Sequence, residues 1–279
     1  MTTKNNCRPV LGTLAIVLTL LPLIATTGWT QQTAEPHVQA VSVSSTETRP
    51  ERSQSGGFPI SFVPNGGQRN PVIACSPEDR CLSVWEDSRD GSWRIYGQWV
   101  VNGELDGQNF RISTTPSEQH DPAVAYNSSN DEYLVVWWDD WDRIVTGFNI
   151  YGRLIARQGE TGIKDCPIAT APGDQQAPDI TYNSTVGEYL VVWQDNRYGD
   201  WDIYGRRIAD DCTPSDSEFT ISRIPERQWY PAVAHDNVHN QYLTVWWDNR
   251  DSPTSGDDIY GQILADDGRL SGPARCGLE

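Results

Sequence analysis

From about Phe58 onward this chain repeats one unit of about fifty residues four times. A fixed period of that length marks a repeat architecture and constrains the fold more than any local propensity. Each copy opens on a proline (Pro71, Pro122, Pro178, Pro231) and runs through an apolar stretch to a tryptophan (Trp85, Trp137, Trp193, Trp246). An aspartate follows two residues later (Asp87, Asp139, Asp195, Asp248), then an Ile-Tyr-Gly step holding Tyr96, Tyr151, Tyr204 or Tyr260. Three copies close on Phe110–Ser113, Cys166–Ala169 and Phe219–Ser222; the fourth has no clear closing segment, and a matching Phe58-Pro-Ile-Ser61 stands at the other end.

Every copy holds four short runs rich in Val, Ile, Tyr, Trp and Thr, separated by Asn, Asp, Ser, Gly and Pro, the pattern of short strands joined by turns. The reading is all-β: a four-bladed β-propeller of four-stranded antiparallel sheets. Phe58–Ser61 is expected to be the N-terminal strand closing the last blade, where Pro59 is tolerable on an edge.

One covariation among the copies sets the strand register. Tyr126 stands with Tyr133, Tyr182 with Tyr189 and His235 with Tyr242, whereas the first copy has Cys75 with Cys81. Directly opposed residues of an antiparallel pair have Cβ atoms about 4.5–5.5 Å apart, close to what a disulfide spans. An aromatic pair and a Cys75–Cys81 disulfide are therefore alternative fillings of one site.

Residues 1–28 have Lys4 and Arg8, an apolar run from Val10 to Ala25 and then small residues, the layout of a secretory signal peptide. Residues 29–57 are polar, without an apolar period, and read as a disordered linker; 58–279 hold the propeller. The expected location is secreted, periplasmic or at the cell surface, where disulfides are permitted. Removal of the leader leaves five cysteines, an odd number. Cys166–Cys212 is one pairing, but the two fall at different places in their units, so the partners of Cys166, Cys212 and Cys276 stay open. The formal net charge is −17, with Lys164 the one lysine beyond the leader, which disfavours nucleic acid and anionic membranes. No stable membrane insertion is expected once the leader is gone.

The line formed by the leading Pro, the apolar run to Trp, the Asp-Asn-Arg-x-Gly turn and the Ile-Tyr strand resembles the WD40-like propeller repeat of the TolB type. The nearest local match is Cys75-Ser-Pro-Glu-Asp79 with Asp87-Ser-Arg89-Asp-Gly91. The resemblance covers Pro71 to about Leu264. It implies a propeller that binds or gates, with the Pro-led strand innermost and the Phe-x-Ile-Ser strand outermost.

With that strand order, the turns after the Trp strands and the loops leading into the Pro-led strands share one face, rich in Trp, Asp and Arg. The candidate ligand-binding residues are His120, Asp139, Trp141, Arg197, Trp201, Trp229, Tyr230 and Trp247. Indole faces stack on sugars, and nearby carboxylates and guanidinium groups satisfy hydroxyls. Trp85, Trp137, Trp193 and Trp246 recur in every copy and read as packing between blades. The recurrent aspartates read as turn-forming Asx residues. Four histidines form no catalytic motif, and no zinc, P-loop or dinucleotide spacing occurs. The expected function is thus an exported, non-catalytic binding module for a carbohydrate or protein partner. The alternatives are an extracellular glycan hydrolase or lyase using acidic turn residues, and a calcium-stabilised scaffold. No cofactor is expected, although the acidic turn Asp195–Asp202 offers oxygen ligands to calcium.

Overall fold

The computed structural model describes residues 57–61, 63, 66–156, 165–251 and 256–271, all within one unit spanning Val41–Glu279. The signal-peptide and linker assignments lie outside the described residues, apart from Gly57 at the linker's end. Among the described residues, sixteen strands form four antiparallel sheets, each hydrogen-bonded in sequence order. The first blade holds β1 (Gln68–Cys75), β2 (Arg80–Asp87), β3 (Arg94–Val101) and β4 (Glu104–Arg111). The second holds β5 (Gln119–Asn127), β6 (Glu132–Asp139), β7 (Asn149–Ala156) and β8 (Cys166–Ala169). The third holds β9 (Gln175–Asn183), β10 (Glu188–Asp195), β11 (Asp202–Ala209) and β12 (Phe219–Ser222). The fourth holds β13 (Gln228–Asp236), β14 (Gln241–Asp248), β15 (Asp258–Ala265) and β16 (Leu270–Ser271). Each sheet is one blade holding one repeat, and the blades pack in series in the manner of a β-propeller; among the described residues the forward side chains Leu243 and Ile259 of the fourth blade stay exposed, so the expected ring is not closed onto the first blade.

Alternation along the second strand of each blade decides the packing. In β6, Tyr133, Val135 and Trp137 face back onto Leu82, Val84, Ile95 and Trp99 of the first blade. Leu134 and Val136 face forward onto Tyr189, Val191 and Trp193 of the third. Leu190 and Val192 in turn meet Tyr242 and Trp246 of the fourth. Three apolar clusters therefore fill three joints, and the recurrent Trp137, Trp193 and Trp246 are blade-to-blade packing, while Trp85 is buried on the first blade outside these joints. A backbone bond reinforces each joint where the third strand of one blade meets the first strand of the next: Gln119 N to Trp93 O (3.0 Å), Gln175 N to Phe148 O (2.8 Å) and Gln228 N to Trp201 O (2.8 Å).

The cross-strand covariation is realised in the register. Cys75 faces Cys81, Tyr126 faces Tyr133, Tyr182 faces Tyr189 and His235 faces Tyr242. Cys75 and Cys81 form the disulfide. The exchange has a reason in the joints. Tyr133 reaches back to donate to Arg80 O (2.7 Å), and Tyr242 accepts from Asn183 Nδ2 (3.0 Å) on the preceding blade. Among the described residues, no sheet precedes the first blade. A second disulfide, Cys166–Cys212, ties the outer strand of the second blade to the third, a pairing the sequence left open.

The strand closing the last blade is not Phe58–Ser61. The outer strand of the fourth sheet is β16, and Phe58–Ser61 lies instead against the first blade. There Asn109 Nδ2 donates to Ile60 O (3.2 Å), and Ser61 Oγ donates to Asn109 Oδ1 (2.7 Å). Two residues of β16 complete the sheet that lacks a Phe-x-Ile-Ser segment, freeing the N-terminal copy to bind elsewhere.

The invariant glycine of the Ile-Tyr-Gly step is a packing requirement. A Cβ at Gly152 would stand 2.9 Å from Ile168 Cδ1, the outer-strand isoleucine that lies over it. We expect Gly152→Ala to destabilise the protein by about 1–3 kcal/mol through overpacking, read as a lower urea midpoint with an unchanged slope. An unchanged midpoint would show that the blade can relax around the extra methyl.

Candidate functional site

The Asp-Asn-Arg turns are fastening devices. Asp87, Asp139, Asp195 and Asp248 each accept the backbone N–H two residues on, at 2.6–3.0 Å, the Asx turn expected from the sequence. In three blades the aspartate also takes the repeat tryptophan's indole N–H and an ion pair from Arg89, Arg197 or Arg250. That arginine lies over the blade's own Tyr96, Tyr204 or Tyr260. The second blade lacks the arginine, and Ser117 and Thr115 bond Asp139 in its place. Arg197 is also paired with Glu218 at 2.7 Å. Two sequence candidates, Asp139 and Arg197, are thus occupied in holding turns.

The chemistry gathers one step inward, where the innermost strands enter the sheets. Each first strand carries a bulge beside its proline, and the residue before the proline takes positive φ: Asn70, Asp121, Ala177 and Tyr230, at 48–51°. A bulge re-aims side chains and interrupts pairing. The residue after the repeat tryptophan then reaches across the joint to the next blade's bulge. Glu86 Oε1 accepts Asp121 N (2.9 Å), and Gln194 Oε1 accepts Tyr230 N (3.0 Å).

Glu86 is fully buried and held on all sides. Asn70 Nδ2 donates to its Oε1 (2.6 Å), Arg69 Nε donates to its Oε2 (2.8 Å), and His120 Nδ1 lies 3.0 Å from Oε2. Burial by itself would raise this carboxyl. The hydrogen bonds from His120, the Asp121 amide, Arg69 and Asn70 outweigh it and lower the pKa to about 2. The same Asn70 Nδ2 donates to Asp121 Oδ1 (3.1 Å), so two carboxylates share one amide nitrogen. Trp138 Nε1 donates to the other oxygen of Asp121 (2.8 Å). Arg69 lies over Trp93 at 4.0 Å, and His120 packs on Trp138 with ring centroids 4.4 Å apart. On the third blade's first strand, Asp179 Oδ2 accepts Val233 N (2.7 Å) from the fourth, and burial pushes its carboxyl up.

Of the sequence candidates, His120 belongs to this cluster. Tyr230 is 58% exposed at the fourth blade's bulge, with Trp247 beside it at 5.4 Å between ring centroids. Trp229 is half-buried next to them in sequence, with Arg227 over it. Trp201 is half-buried and gives its carbonyl to the joint bond with Gln228. Trp141 is exposed on the β6–β7 loop. The reading of the sequence passed over Asn70, Glu86, Asp121 and Asp179. Their signal was available, because the position after the repeat tryptophan reads Glu, Trp, Gln and Trp, and the position before the proline reads Asn, Asp, Ala and Tyr. Among the described residues, no group of three or more His, Cys, Asp or Glu side chains is arranged to hold a metal ion.

No family model matches the chain, and no curated protein matches it. Solved structures do. A thermostable family-43 glycoside hydrolase shares 13% identity at a TM-score of 0.51, over 76% of this chain and 77% of that one. An endo-arabinase from Bacteroides thetaiotaomicron shares 14% at 0.50, over 73% and 78%. A Hadza microbial sialidase shares 10% at 0.55, over 72% of this chain and 45% of that one. At these identities the likeness shows the fold, a β-propeller. It also corrects the expectation of a non-catalytic binding module, because the structures this chain is similar to are enzymes that act on carbohydrates.

Glu86 makes the site sensitive to acid. Its folded pKa is depressed from 4.5 to about 2, so the stability it contributes is complete above about pH 4.5 and is lost as pH falls through about 2. Loss of that contribution is worth about 3 kcal/mol. Urea midpoints measured from pH 5 to pH 2 are expected to fall less steeply in Glu86→Gln than in wild type; parallel curves would remove Glu86 as the acid-sensitive group.

Proposed function

We propose that the chain is an exported carbohydrate-active enzyme that hydrolyses glycosidic bonds at the mouth formed by the four bulged inner strands. The observation that carries this reading is the set of carboxylates on the inner strands: Asp121, held through Asn70 and Trp138 with the buried Glu86 behind it, and Asp179, whose carboxyl burial pushes up. Glycoside hydrolysis needs one carboxylic acid to protonate the leaving oxygen and one ionised carboxylate facing the sugar. Environments that push carboxyl pKa values apart supply such roles. Asp121 is half-buried and is the carboxylate that meets the sugar. Glu86, fully buried, is a positioning residue that stays ionised and holds the Asp121 backbone. Asp179, raised by burial, carries the proton. His120, Trp93 and Trp138 give an aromatic wall against which a sugar ring stacks.

Two disulfides fit an oxidising compartment, and the leader-like residues 1–28 support secretion to the periplasm, cell surface or medium. Arabinans, arabinofuranosides and sialosides are the first substrates to try, since solved structures of this fold act on them.

The test is sugar release from aryl glycosides and polysaccharides of those classes. Asp121→Asn and Asp179→Asn are each expected to lower kcat by about 10²–10⁴-fold with unchanged circular dichroism and thermal midpoint. Absence of hydrolysis across the panel, or wild-type rates in both variants, would overturn the assignment.

A further inference from the structure

One position of the repeat changes its charge from blade to blade. The residue facing the repeat aspartate across the second and third strands is Arg94, Asn149 and Asp202 in the first three blades. In the first, the Arg94 guanidinium fills the space against the connection to the next blade, donating to Pro116 O (2.7 Å), Trp93 O (3.0 Å) and Ser117 O. The connection leaving the third blade has the same spacing, so Pro225 stands at the place of Pro116. There the position holds Asp202, shorter and of opposite charge. A hollow of about 270 Å³ lies beside it, lined by Tyr198, Asp200, Asp202, Arg223, Ile224 and Pro225. Asp202 is 3% exposed, and no described residue donates a hydrogen bond to its carboxylate. Arg223 Nε stands 3.8 Å away, beyond hydrogen-bond distance, and the Arg223 guanidinium lies over Tyr198 at 3.8 Å. A buried carboxylate without a donor is costly. Burial and the charges of Asp195 and Asp200 push the Asp202 carboxyl up to about 6, against the pull of Arg223 and Arg197.

We propose that this hollow binds an organic cation, a guanidinium or primary ammonium group on an apolar stem, in the space that Arg94 fills in the first blade. Charge sets the sign of the ligand. Asp195, opposite Asp202 in the ladder, is already paired with Arg197, which leaves Asp200 and Asp202 against the single cation lining the hollow, Arg223. One negative charge is in excess. The missing donor sets the group, because a guanidinium or ammonium gives the Asp202 carboxylate a charge-assisted hydrogen bond. Ile224 and Pro225 offer the stem an apolar wall. A calcium ion is a poorer match, since it takes about six to eight oxygen ligands, whereas a guanidinium lines this space. Asn70, Asp121, His120 and Asp179 are not among the lining residues, so the site stands whether or not the chain cleaves glycosides.

The test is an amide chemical-shift titration of the full chain with butylguanidinium, butylammonium and D-glucosamine at neutral pH. Saturable shifts are expected at Trp201, Asp202 and Ile224, and none with neutral 1-pentanol. Saturation by the alkyl cations alone restricts the ligand to basic side groups; saturation by D-glucosamine as well extends it to amino sugars, and either result supports the site. Affinity should fall roughly 10-fold between neutral pH and about pH 5, because Asp202 takes up its proton near 6 and loses the charge that holds the cation. Asp202→Asn puts the second blade's residue at this position. It should weaken binding by roughly 10-fold or more and remove the pH dependence. Asp200→Asn, at an exposed position, serves as a second variant with a smaller loss in the same direction should the first fail to fold. No saturable shift with any of the three cations, wild-type affinity in both variants, or equal shifts with 1-pentanol would overturn the proposal. So would binding that ignores pH, or displacement of the cation by an equal concentration of calcium chloride.

Discussion

A single repeat of this chain cannot bury both faces of its sheet, and the structure follows from that constraint. Alternation along the second strand sends Tyr, Val and Trp backward and Leu and Val forward, so each blade is completed by its neighbour. Four blades make three such joints. The blades inside the series are covered on both faces by their neighbours. Those at its ends differ: the first is sealed by polar residues, a disulfide and the Ile60–Ser61 segment, while the fourth keeps an apolar joint face exposed.

The joint is also where the fold becomes a site. A bulge before each inner-strand proline leaves a backbone N–H without a ladder partner, and buried polar groups must be satisfied. At two joints the side chain after the repeat tryptophan does this from the preceding blade, Glu86 for Asp121 and Gln194 for Tyr230. Because these acceptors are charged or polar, the repair of a backbone defect concentrates ionisable groups at the mouth. Glu86 is the extreme case, a fully buried carboxylate held ionised by surrounding donors. The proposed chemistry grows from a structural need.

Much of the fold could be read from the residues because it is written in repeats. The period gave the blade count, the Tyr–Tyr and Cys–Cys exchange gave the strand register, and the recurrent Asp gave the Asx turns. Closure could not be read, since β16 is a two-residue strand around Leu270 with none of the Phe-x-Ile-Ser pattern, while Phe58–Ser61 carries that pattern and packs elsewhere. The site was partly visible. Exposed aromatics such as Tyr230 and Trp247 stand out by composition, and His120 by its place in a lead-in loop. Glu86 and Asp121 did not, because their meaning depends on a bulge and a contact across a joint. Asp139 and Arg197 are polar residues on a turn-rich face whose side chains bond the turns themselves.

The measurement that reaches the core of this account is residue-resolved amide exchange at Asp121 and Tyr230, in wild type and in Glu86→Ala. Both amides should be protected in wild type, although each sits in a strand bulge, and the variant should release Asp121 alone. Rapid exchange of both amides in wild type, or protection of Asp121 that survives loss of Glu86, would contradict the claim that side chains crossing the joints build the mouth.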